Sequence, residues 1–253
     1  MIFQVLTIFP EFFEGPFAHG VVKRAQDAGL LDIRIHNLRD WTHDRHRTVD
    51  DRPYGGGPGM VMKPEPLMAA IRAAYPRLPA GSPRICLSAQ GEPFGEVQAR
   101  EFAALPGMLL VAGRYEGIDE RVIELGIDRE LSVGDYVLSG GELPALTVID
   151  AVARLLPGAL GDDRSSGEDS FAQGLLDWPH YTRPEVFEGL AVPTVLLSGD
   201  HAAIRRWRLR CAVERTWRRR PDLIGRGALT GEARRVLNEF LAAQAAGDED
   251  RGK

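Results

Sequence analysis

Residues 112–144 have the sequence AGRYEGIDERVIELGIDRELSVGDYVLSGGELP, which is the most informative part of the chain. Glycines alternate here with charged side chains, at Gly113, Gly117, Gly126, Gly134, Gly140 and Gly141. Glycine lets backbone N–H and C=O groups approach a ligand closely and adopt positive φ. Because the glycine-rich turns follow apolar segments, the pattern favours two loops that hold a cofactor with backbone groups. Two ordinary turns flanking a helix are the alternative.

Strands and helices alternate around this stretch. Apolar runs predict strands at residues 2–9, 33–38, 84–88 and 108–111. Helical patterns, several with glycine or proline at their ends, predict helices at residues 17–28, 64–75, 95–105 and 142–155. This alternation predicts an α/β domain with a mainly parallel sheet and helices on both faces.

Three loops follow apolar strands, at residues 87–91, 113–117 and 132–141. Ligands of parallel α/β sheets bind beyond the carboxyl ends of the strands, so we expect these loops to converge on one site. Residues 48–60, TVDDRPYGGGPGM, form another glycine-rich loop. Its spacing matches neither of the common phosphate-binding motifs, which favours a surface loop.

The composition changes sharply at residues 158–173, GALGDDRSSGEDSFAQ, where Gly, Asp and Ser dominate. This is typical of a linker, and it divides the chain into a cofactor-binding domain at 1–160, a flexible linker at 161–173 and a small helical domain at 174–246. Asp200 and Thr230 are predicted N-caps of helices that end near Trp217 and Ala243. Residues 247–253 are predicted to be a disordered tail.

The 253 residues are 44% hydrophobic and 26% charged, as in soluble globular proteins. No apolar run approaches the ~20 residues that a membrane span needs, and no basic segment precedes the first apolar run, so no signal peptide is expected. Two distant cysteines, Cys86 and Cys211, favour free thiols in a reduced, cytoplasmic setting.

The net charge of −5 argues against a uniformly basic nucleic-acid binder, but the basic residues are unevenly distributed. Residues 171–253 hold 14 basic and 11 acidic side chains. The predicted helix after Asp200 carries Trp207 and Trp217 among many arginines, a combination suited to phosphate contacts and base stacking in RNA. These arginines are Arg205, Arg206, Arg208, Arg210, Arg215, Arg218, Arg219 and Arg220. The chain has only three lysines, so arginine is also its general choice of cation.

Long motifs carry a resemblance to a known family. They are GRYEGIDERV and SVGDYVLSGGELP in the central stretch, with VLTIFPEFF (5–13), DDRPYGGGPGMVMKPEP (50–66), LSAQG (87–91), DSFAQGLLDWPHYTRP (169–184) and VPTVLLSGDH (192–201). In this order they closely resemble the bacterial tRNA (guanine-N1)-methyltransferases of the SPOUT class, the TrmD family. Two residues depart from the family pattern: Ala89 stands where proline is expected, and Ala112 where cysteine is expected.

The resemblance implies an enzyme that transfers a methyl group from S-adenosylmethionine to N1 of the guanosine immediately 3′ of the tRNA anticodon. It also implies a homodimer with its active site at the subunit interface, and a deep trefoil knot formed by the three loops. General topology rules would not predict a knot. The expected partners are tRNA and a second copy of the chain, with neither DNA nor a membrane involved.

Methylation at guanine N1 requires a base, because that nitrogen carries a proton at neutral pH. The resemblance assigns this role to Asp169, which would otherwise be interpreted as an acid in a solvated linker. It suggests that Arg154 stabilises negative charge that develops on guanine O6. The alternative for Arg154 is a cation at a helix C-terminus.

The resemblance places the cofactor on the three loops. The residues expected to contact it are Leu87, Ser88, Gln90, Gly91, Gly113, Arg114, Tyr115, Glu116, Gly117, Ser132, Val133, Gly134, Asp135, Tyr136, Val137, Leu138, Gly140, Gly141 and Pro144. Glu116 could also hydrogen-bond the base or help to hold a divalent cation such as Mg²⁺, and an ordinary surface acid is the alternative. No His, Cys and Asp spacing indicates a structural metal site.

Two other functions stay open at this point. A SPOUT methyltransferase could act on a different RNA position or on a ribose hydroxyl, although a ribose enzyme would not need the DSF motif. A non-catalytic RNA-binding module is the alternative from another class, and it predicts that S-adenosylmethionine does not bind.

Overall fold

The computed structural model describes residues 1–161, 165–226 and 229–251. The chain divides into two compact units, Met1–Asp163 and Arg164–Lys253. The strands are β1 (Ile2–Thr7), β2 (Asp32–Asn37), β3 (Asp50–Asp51), β4 (Val61–Met62), β5 (Arg84–Pro93), β6 (Gly107–Ala112), β7 (Arg129–Ser132), β8 (Val186–Phe187) and β9 (Leu190–Ala191). The helices are α1 (Glu14–Phe17), α2 (Gly20–Asp27), α3 (Pro64–Ala74), α4 (Glu96–Ala103), α5 (Glu120–Gly126), α6 (Glu142–Ala153), α7 (Ser165–Glu168), α8 (His201–Arg219), α9 (Pro221–Arg226) and α10 (Gly231–Arg251).

The first unit is built on a five-stranded sheet with the order β2-β1-β6-β5-β7. Every neighbouring pair in it is parallel. The central strand β6 is buried along its whole length, as its unbroken apolar sequence requires for a strand covered on both faces. The predicted α/β architecture with a mainly parallel sheet is therefore confirmed.

Helices cover both faces of this sheet and form one hydrophobic core on each face. Alternate residues of β6 contribute to the two cores. Met108 and Leu110 join the core packed by α2, α4 and α6, where Phe102 is fully buried. Leu109 and Val111 join the core packed by α3 and α5. The two-residue period of a strand therefore supplies apolar side chains to both layers.

Element boundaries differ from the predicted ones mainly at strand ends. Strand β1 ends at Thr7, and β5 continues to Pro93 through an irregular segment. Two short antiparallel hairpins, β3–β4 and β8–β9, were not predicted. Each of their strands has only two residues, which is too short for a periodic pattern to develop.

The second unit packs α8 against α10. Its core includes Leu175, Val213, Leu237 and Phe240. Both predicted N-caps form hydrogen bonds to helix amides: the Asp200 carboxylate accepts from the first turn of α8, and the Thr230 hydroxyl accepts from the amide of Ala233.

The last helix is longer than the sequence predicts. Helix α10 continues to Arg251, although an end near Ala243 and a disordered tail at 247–253 were expected. Good helix formers (Ala245, Ala246, Glu249 and Arg251) alternate in the extension with Gly247 and two aspartates, which is why the sequence did not predict a helix there. Residues 252–253 lie outside the described part of the chain.

The expected linker at 161–173 is described only in part, because residues 162–164 lie outside the described ranges. Residues 165–168 form α7, and a turn follows in which the amide of Ala172 donates to the Asp169 carbonyl. Searched over the same described residues, no helix is both long enough and apolar enough to cross a membrane.

The thiol of Cys86 gives a testable consequence of this packing. The residue is 3% exposed, and burial raises the pKa of its thiol to about 12 from the ordinary 9.0, with smaller contributions from Glu130 and Glu120. Since the thiolate is the reactive form, we expect iodoacetamide to leave Cys86 unlabelled in the folded protein at about pH 8. Half-buried Cys211 is the internal comparison and should react first. Peptide mass spectrometry measures both rates, and rapid native labelling of Cys86 would contradict this account.

The raised pKa of the Cys86 thiol also predicts how the stability of the protein depends on pH. Its proton is retained in the folded state, whereas the unfolded thiol ionises above about pH 9. The free energy of unfolding should therefore fall as the pH rises from about 9 to 12. Replacing Cys86 by alanine should remove this component of the pH dependence in urea titrations.

Candidate active site

A bulge in β5 produces the first of the three loops. Leu131 of β7 pairs with both Leu87 and Glu92, so the four residues 88–91 leave the ladder and arch away from it. The backbone of Gly91 lies directly against β7, and a Cβ atom at this position would overlap the backbone of Leu131. The glycine is therefore required by packing, and Gly91 does not line the adjoining cavity.

The second and third loops are joined by backbone contacts. The amide of Gly141 donates to the Gly113 carbonyl at 2.8 Å, and Arg114 and Gly140 form an antiparallel bridge. A Cβ atom on Gly141 would lie 2.6 Å from the Cα of Ala112. Gly141 therefore allows the loop after β7 to approach the end of β6 more closely than other residues permit.

A buried polar cluster holds these loops together. Glu142, 1% exposed in the first turn of α6, accepts hydrogen bonds from the Thr7 hydroxyl at 2.7 Å and from Nε of Arg114 at 2.8 Å. Arg114 also donates to the Ser139 carbonyl at 3.2 Å, and its guanidinium lies 4.7 Å from the centroid of the Phe9 ring. The carboxylate thus connects the end of β1 to both glycine-rich loops. The positive end of the α6 dipole favours its charge.

The three loops surround a cavity of about 280 Å³ at the carboxyl ends of the strands. The structure brings together most of the expected cofactor residues around it: Leu87, Ser88, Gln90, Gly113, Arg114, Tyr115, Glu116, Gly117, Ser132, Val133, Gly134, Tyr136, Val137, Leu138, Gly140, Gly141 and Pro144. Gly91 and Asp135 do not line it. The sequence analysis missed Cys86, Ile118, Ile123 and Glu130, which also line the wall. Cys86, Ile118 and Ile123 are apolar and gave only a packing signal, and Glu130 gave no signal that separates it from an ordinary surface acid.

A fourth loop forms the rim of this cavity. The amide of Glu116 donates to the Met60 carbonyl, and the amide of Met62 donates to the Gly117 carbonyl, each at 2.9 Å. The glycine-rich residues 55–59 therefore lie beside the cavity loop rather than apart from it. The Glu116 side chain occupies the space next to the Cα of Gly59, where a Cβ atom would overlap it.

Tyr115, which lines the cavity, has an unusual backbone conformation. Its φ of 62° lies in the left-handed region, which is uncommon for residues other than glycine. Burial raises the pKa of its phenol, and the negative charge of Asp50 raises it further. Asp50 belongs to β3, which precedes the rim loop, so this loop region also influences Tyr115 electrostatically.

The candidate metal ligand Glu116 is exposed at the cavity rim. Across the described ranges, no group of three or more His, Cys, Asp or Glu side chains is arranged to hold a metal ion. The structure therefore provides no preformed set of protein ligands around Glu116 within those ranges.

The two residues expected to act in catalysis belong to different units. Arg154 is the half-buried C-cap of α6 in the first unit, and Asp169 follows α7 in the second. Neither lines the loop cavity. Asp169 lines a separate cavity of about 260 Å³ within the second unit, together with Asp177, Trp178 and Arg208.

The arginines of α8 fall into two groups. Some have partners within the chain: Arg208 lies 4.8 Å from the Trp178 ring centroid, Arg210 pairs with Glu214, and Arg215 donates to the Asp177 carbonyl. Arg205, Arg206, Arg218 and Arg219 are exposed along the helix. Arg210 is also exposed, and Arg218 lies 5.6 Å from the Phe240 ring centroid, so exposure to solvent and a partner within the chain are not exclusive.

The buried carboxylate allows a direct test of how the loops are held. Replacing Glu142 by alanine leaves the Thr7 hydroxyl and the Arg114 guanidinium without their partner. We expect the free energy of unfolding to fall by about 3 kcal/mol or more, the usual result of breaking a buried ion pair. Exposed Glu116 in the same cavity is the matched control, and its alanine variant should change stability by less than about 0.5 kcal/mol. Equal urea midpoints for the two variants would contradict the assignment.

Comparison with known proteins identifies the family. The family model described as tRNA (Guanine-1)-methyltransferase TrmD matches residues 1–226. The tRNA (guanine-N(1)-)-methyltransferase of Methylococcus capsulatus is 58% identical over 240 residues, which cover 95% of this chain and 96% of the relative. The proteins of the same name from Pasteurella multocida and Aeromonas hydrophila are 55% and 57% identical, covering 96% and 94% of this chain and 99% and 95% of the relatives. The chain therefore belongs to the TrmD family and is a tRNA (guanine-N1)-methyltransferase.

Proposed function

We propose that the chain transfers the methyl group of S-adenosylmethionine to N1 of the guanosine immediately 3′ of the tRNA anticodon. The cavity between the three glycine-rich loops is the observation that carries this proposal. Seventeen of the expected cofactor residues line this cavity. The chain also belongs to a family named for methylation of guanine N1 in tRNA.

The cavity suits a nucleoside-containing methyl donor. Its volume of about 280 Å³ is sufficient for a base and ribose, and its wall combines loop backbone with apolar Ile118, Ile123 and Leu138. Gly117 has a φ of 143°, and a Cβ atom there would meet no protein atom within 4 Å, so the backbone is open to a ligand on that side. When bound, the cofactor supplies an electrophilic methyl group on sulfur.

In this proposal Asp169 is the general base. Its carboxylate would take the proton from guanine N1 while the N1 electron pair forms the bond to the methyl carbon. The bond from the methyl carbon to sulfur would break at the same time, and its electron pair would stay on the sulfur of the donor. Arg154 stabilises the negative charge that guanine O6 acquires as the proton leaves. The DSF motif around Asp169 and the family membership of the chain support both roles.

The substrate is held by the second unit, and the enzyme acts as a homodimer. Exposed arginines on α8 (Arg205, Arg206, Arg218 and Arg219) are suited to phosphate contacts. We infer that Asp169 of one subunit serves the cofactor cavity of the other, and that the three loops form the trefoil knot expected of the SPOUT class. Glu116 is the residue to test for any Mg²⁺ requirement, because it is the exposed acid at the cavity rim.

The activity is tested with unmodified tRNA transcripts and S-adenosylmethionine carrying a labelled methyl group. We expect label in a transcript with guanosine immediately 3′ of the anticodon, and none when adenosine replaces it, because adenine presents an amino group where guanine has O6 and so does not match the contact proposed for Arg154. Equal labelling of both transcripts would exclude this position as the target. Absence of cofactor binding in calorimetry would favour a non-catalytic RNA-binding module.

The role of Asp169 is tested by replacing it with asparagine, which has a similar size but cannot accept the N1 proton. The single-turnover methylation rate should fall by about 10²–10⁴, the usual contribution of a general base. Cofactor affinity should be unchanged, since Asp169 does not line the loop cavity. Glu168→Gln is the matched control, because Glu168 precedes Asp169 and lines the same second cavity. A near-normal rate for Asp169→Asn would end the general-base assignment.

A further inference from the structure

The segment that follows Asp169 is folded back on itself by a series of hydrogen bonds. The amide of Phe171 donates to the Leu175 carbonyl at 2.7 Å, and the amide of Gly174 donates to the Phe171 carbonyl at 3.0 Å. The amide of Asp177 donates to the Ser170 hydroxyl at 3.0 Å, which closes a loop from residue 170 to 177. The position of Asp169 is therefore coupled to the other end of this loop.

That other end is attached to α8. The amide of Leu176 donates to the Thr216 hydroxyl at 2.8 Å, and Nη1 of Arg215 donates to the Asp177 carbonyl at 3.1 Å. Leu175 is 7% exposed and belongs to the core formed with Val213. Two polar contacts and one apolar contact thus fix three consecutive residues of the loop to one face of the helix.

The orientation of the Thr216 hydroxyl is itself determined. Thr216 is fully buried, and its hydroxyl donates to the Ala212 carbonyl at 2.7 Å while it accepts from Leu176. The hydroxyl proton is therefore engaged by the Ala212 carbonyl within the helix, and a lone pair of the hydroxyl oxygen is directed at the Leu176 amide of the loop. Loss of this acceptor would leave the Leu176 amide without its partner in a half-buried position, which is costly for a backbone donor.

We propose that Thr216 is a positioning residue for Asp169: through Leu176 and the loop at 170–177, its hydroxyl holds the carboxylate in the geometry for proton removal. This inference rests on the proposed role of Asp169 as the base. Arg215 supports the same loop through the Asp177 carbonyl, so its guanidinium has a structural partner as well as any role in RNA binding.

The physical advantage lies in preorganisation. A general base must come within about 2.6–3.2 Å of the proton that it removes, and a misplacement of about 1 Å can cost on the order of 10² in rate. A base carried by a freely moving segment would lose conformational entropy each time that it engaged the substrate. Attachment of residues 175–177 to α8 removes much of that cost before tRNA binds.

The test compares three variants of the full-length enzyme. Thr216→Val keeps the shape of the side chain and removes the hydroxyl, Thr216→Ser restores the hydroxyl, and Leu237→Ala weakens the same core from α10 without touching the loop hydrogen bonds. We expect Thr216→Val to lower the single-turnover methylation rate by about 10-fold to 100-fold. Thr216→Ser should recover most of the rate, and Leu237→Ala should stay near wild type at a temperature where circular dichroism shows all three folded.

Binding measurements separate positioning from general damage. Calorimetry with S-adenosylmethionine should give equal affinities for all three variants, because the loop cavity belongs to the first unit. The affinity for tRNA should change less than about threefold in Thr216→Val, since the hydroxyl is buried and does not face the substrate. A rate loss that is equal in Thr216→Val and Leu237→Ala, or that Thr216→Ser fails to reverse, would contradict the proposal.

A double-mutant cycle with Asp169→Asn decides whether Thr216 acts through the base. If it does, Thr216→Val should cost little further rate in the Asp169→Asn background. Fully multiplicative losses would overturn the positioning role. The proposed function fails separately: a near-normal rate for Asp169→Asn alone removes the base, whereas a slow Asp169→Asn with a normal Thr216→Val removes only the inference about Thr216.

Discussion

The buried carboxylate of Glu142 is the interaction on which the loop cavity depends. It accepts from Thr7 at the end of β1 and from Arg114 at the end of β6, and it begins the helix that follows the third loop. A single side chain therefore connects a strand end, two glycine-rich loops and a helix N-terminus. A charge buried this deeply is tolerated only with such partners. The cavity is thus held by a buried ion pair in addition to backbone contacts.

Glycines around the cavity serve two different physical purposes. Gly91 and Gly141 are required because neighbouring backbone leaves no room for a Cβ atom. Gly117 is required because its φ of 143° is unfavourable for other residues, although the surrounding space is open. The first kind brings the loops together, and the second leaves backbone exposed towards the cavity. Glycine density in a sequence does not distinguish the two, so it could not show that the neighbouring backbone requires a glycine at position 91.

Much of the first unit could be predicted because its signals are local. Apolar runs gave the strands, and the rule that ligands bind beyond their carboxyl ends gave the position of the cavity. The bulge at 88–91 could not be predicted, since it depends on where β5 pairs with β7. The loop after Asp169 looked like part of a flexible linker because its contacts to Thr216 and Arg215 lie about 40 residues away in sequence. For the same reason, Arg215 could not be told from an arginine that binds phosphate.

The central claim is that Glu142 holds the two glycine-rich loops in the form that binds the methyl donor. Hydrogen exchange measured by mass spectrometry tests it most directly, on wild type and Glu142→Gln with and without S-adenosylmethionine. In wild type, residues 87–91, 113–117 and 132–141 should all become more protected when the cofactor is added. In Glu142→Gln, residues 113–117 and 132–141 should exchange faster before cofactor is added and gain less protection afterwards. Unchanged exchange of both loops in Glu142→Gln, or no gain of protection in the three segments of wild type, would contradict the account.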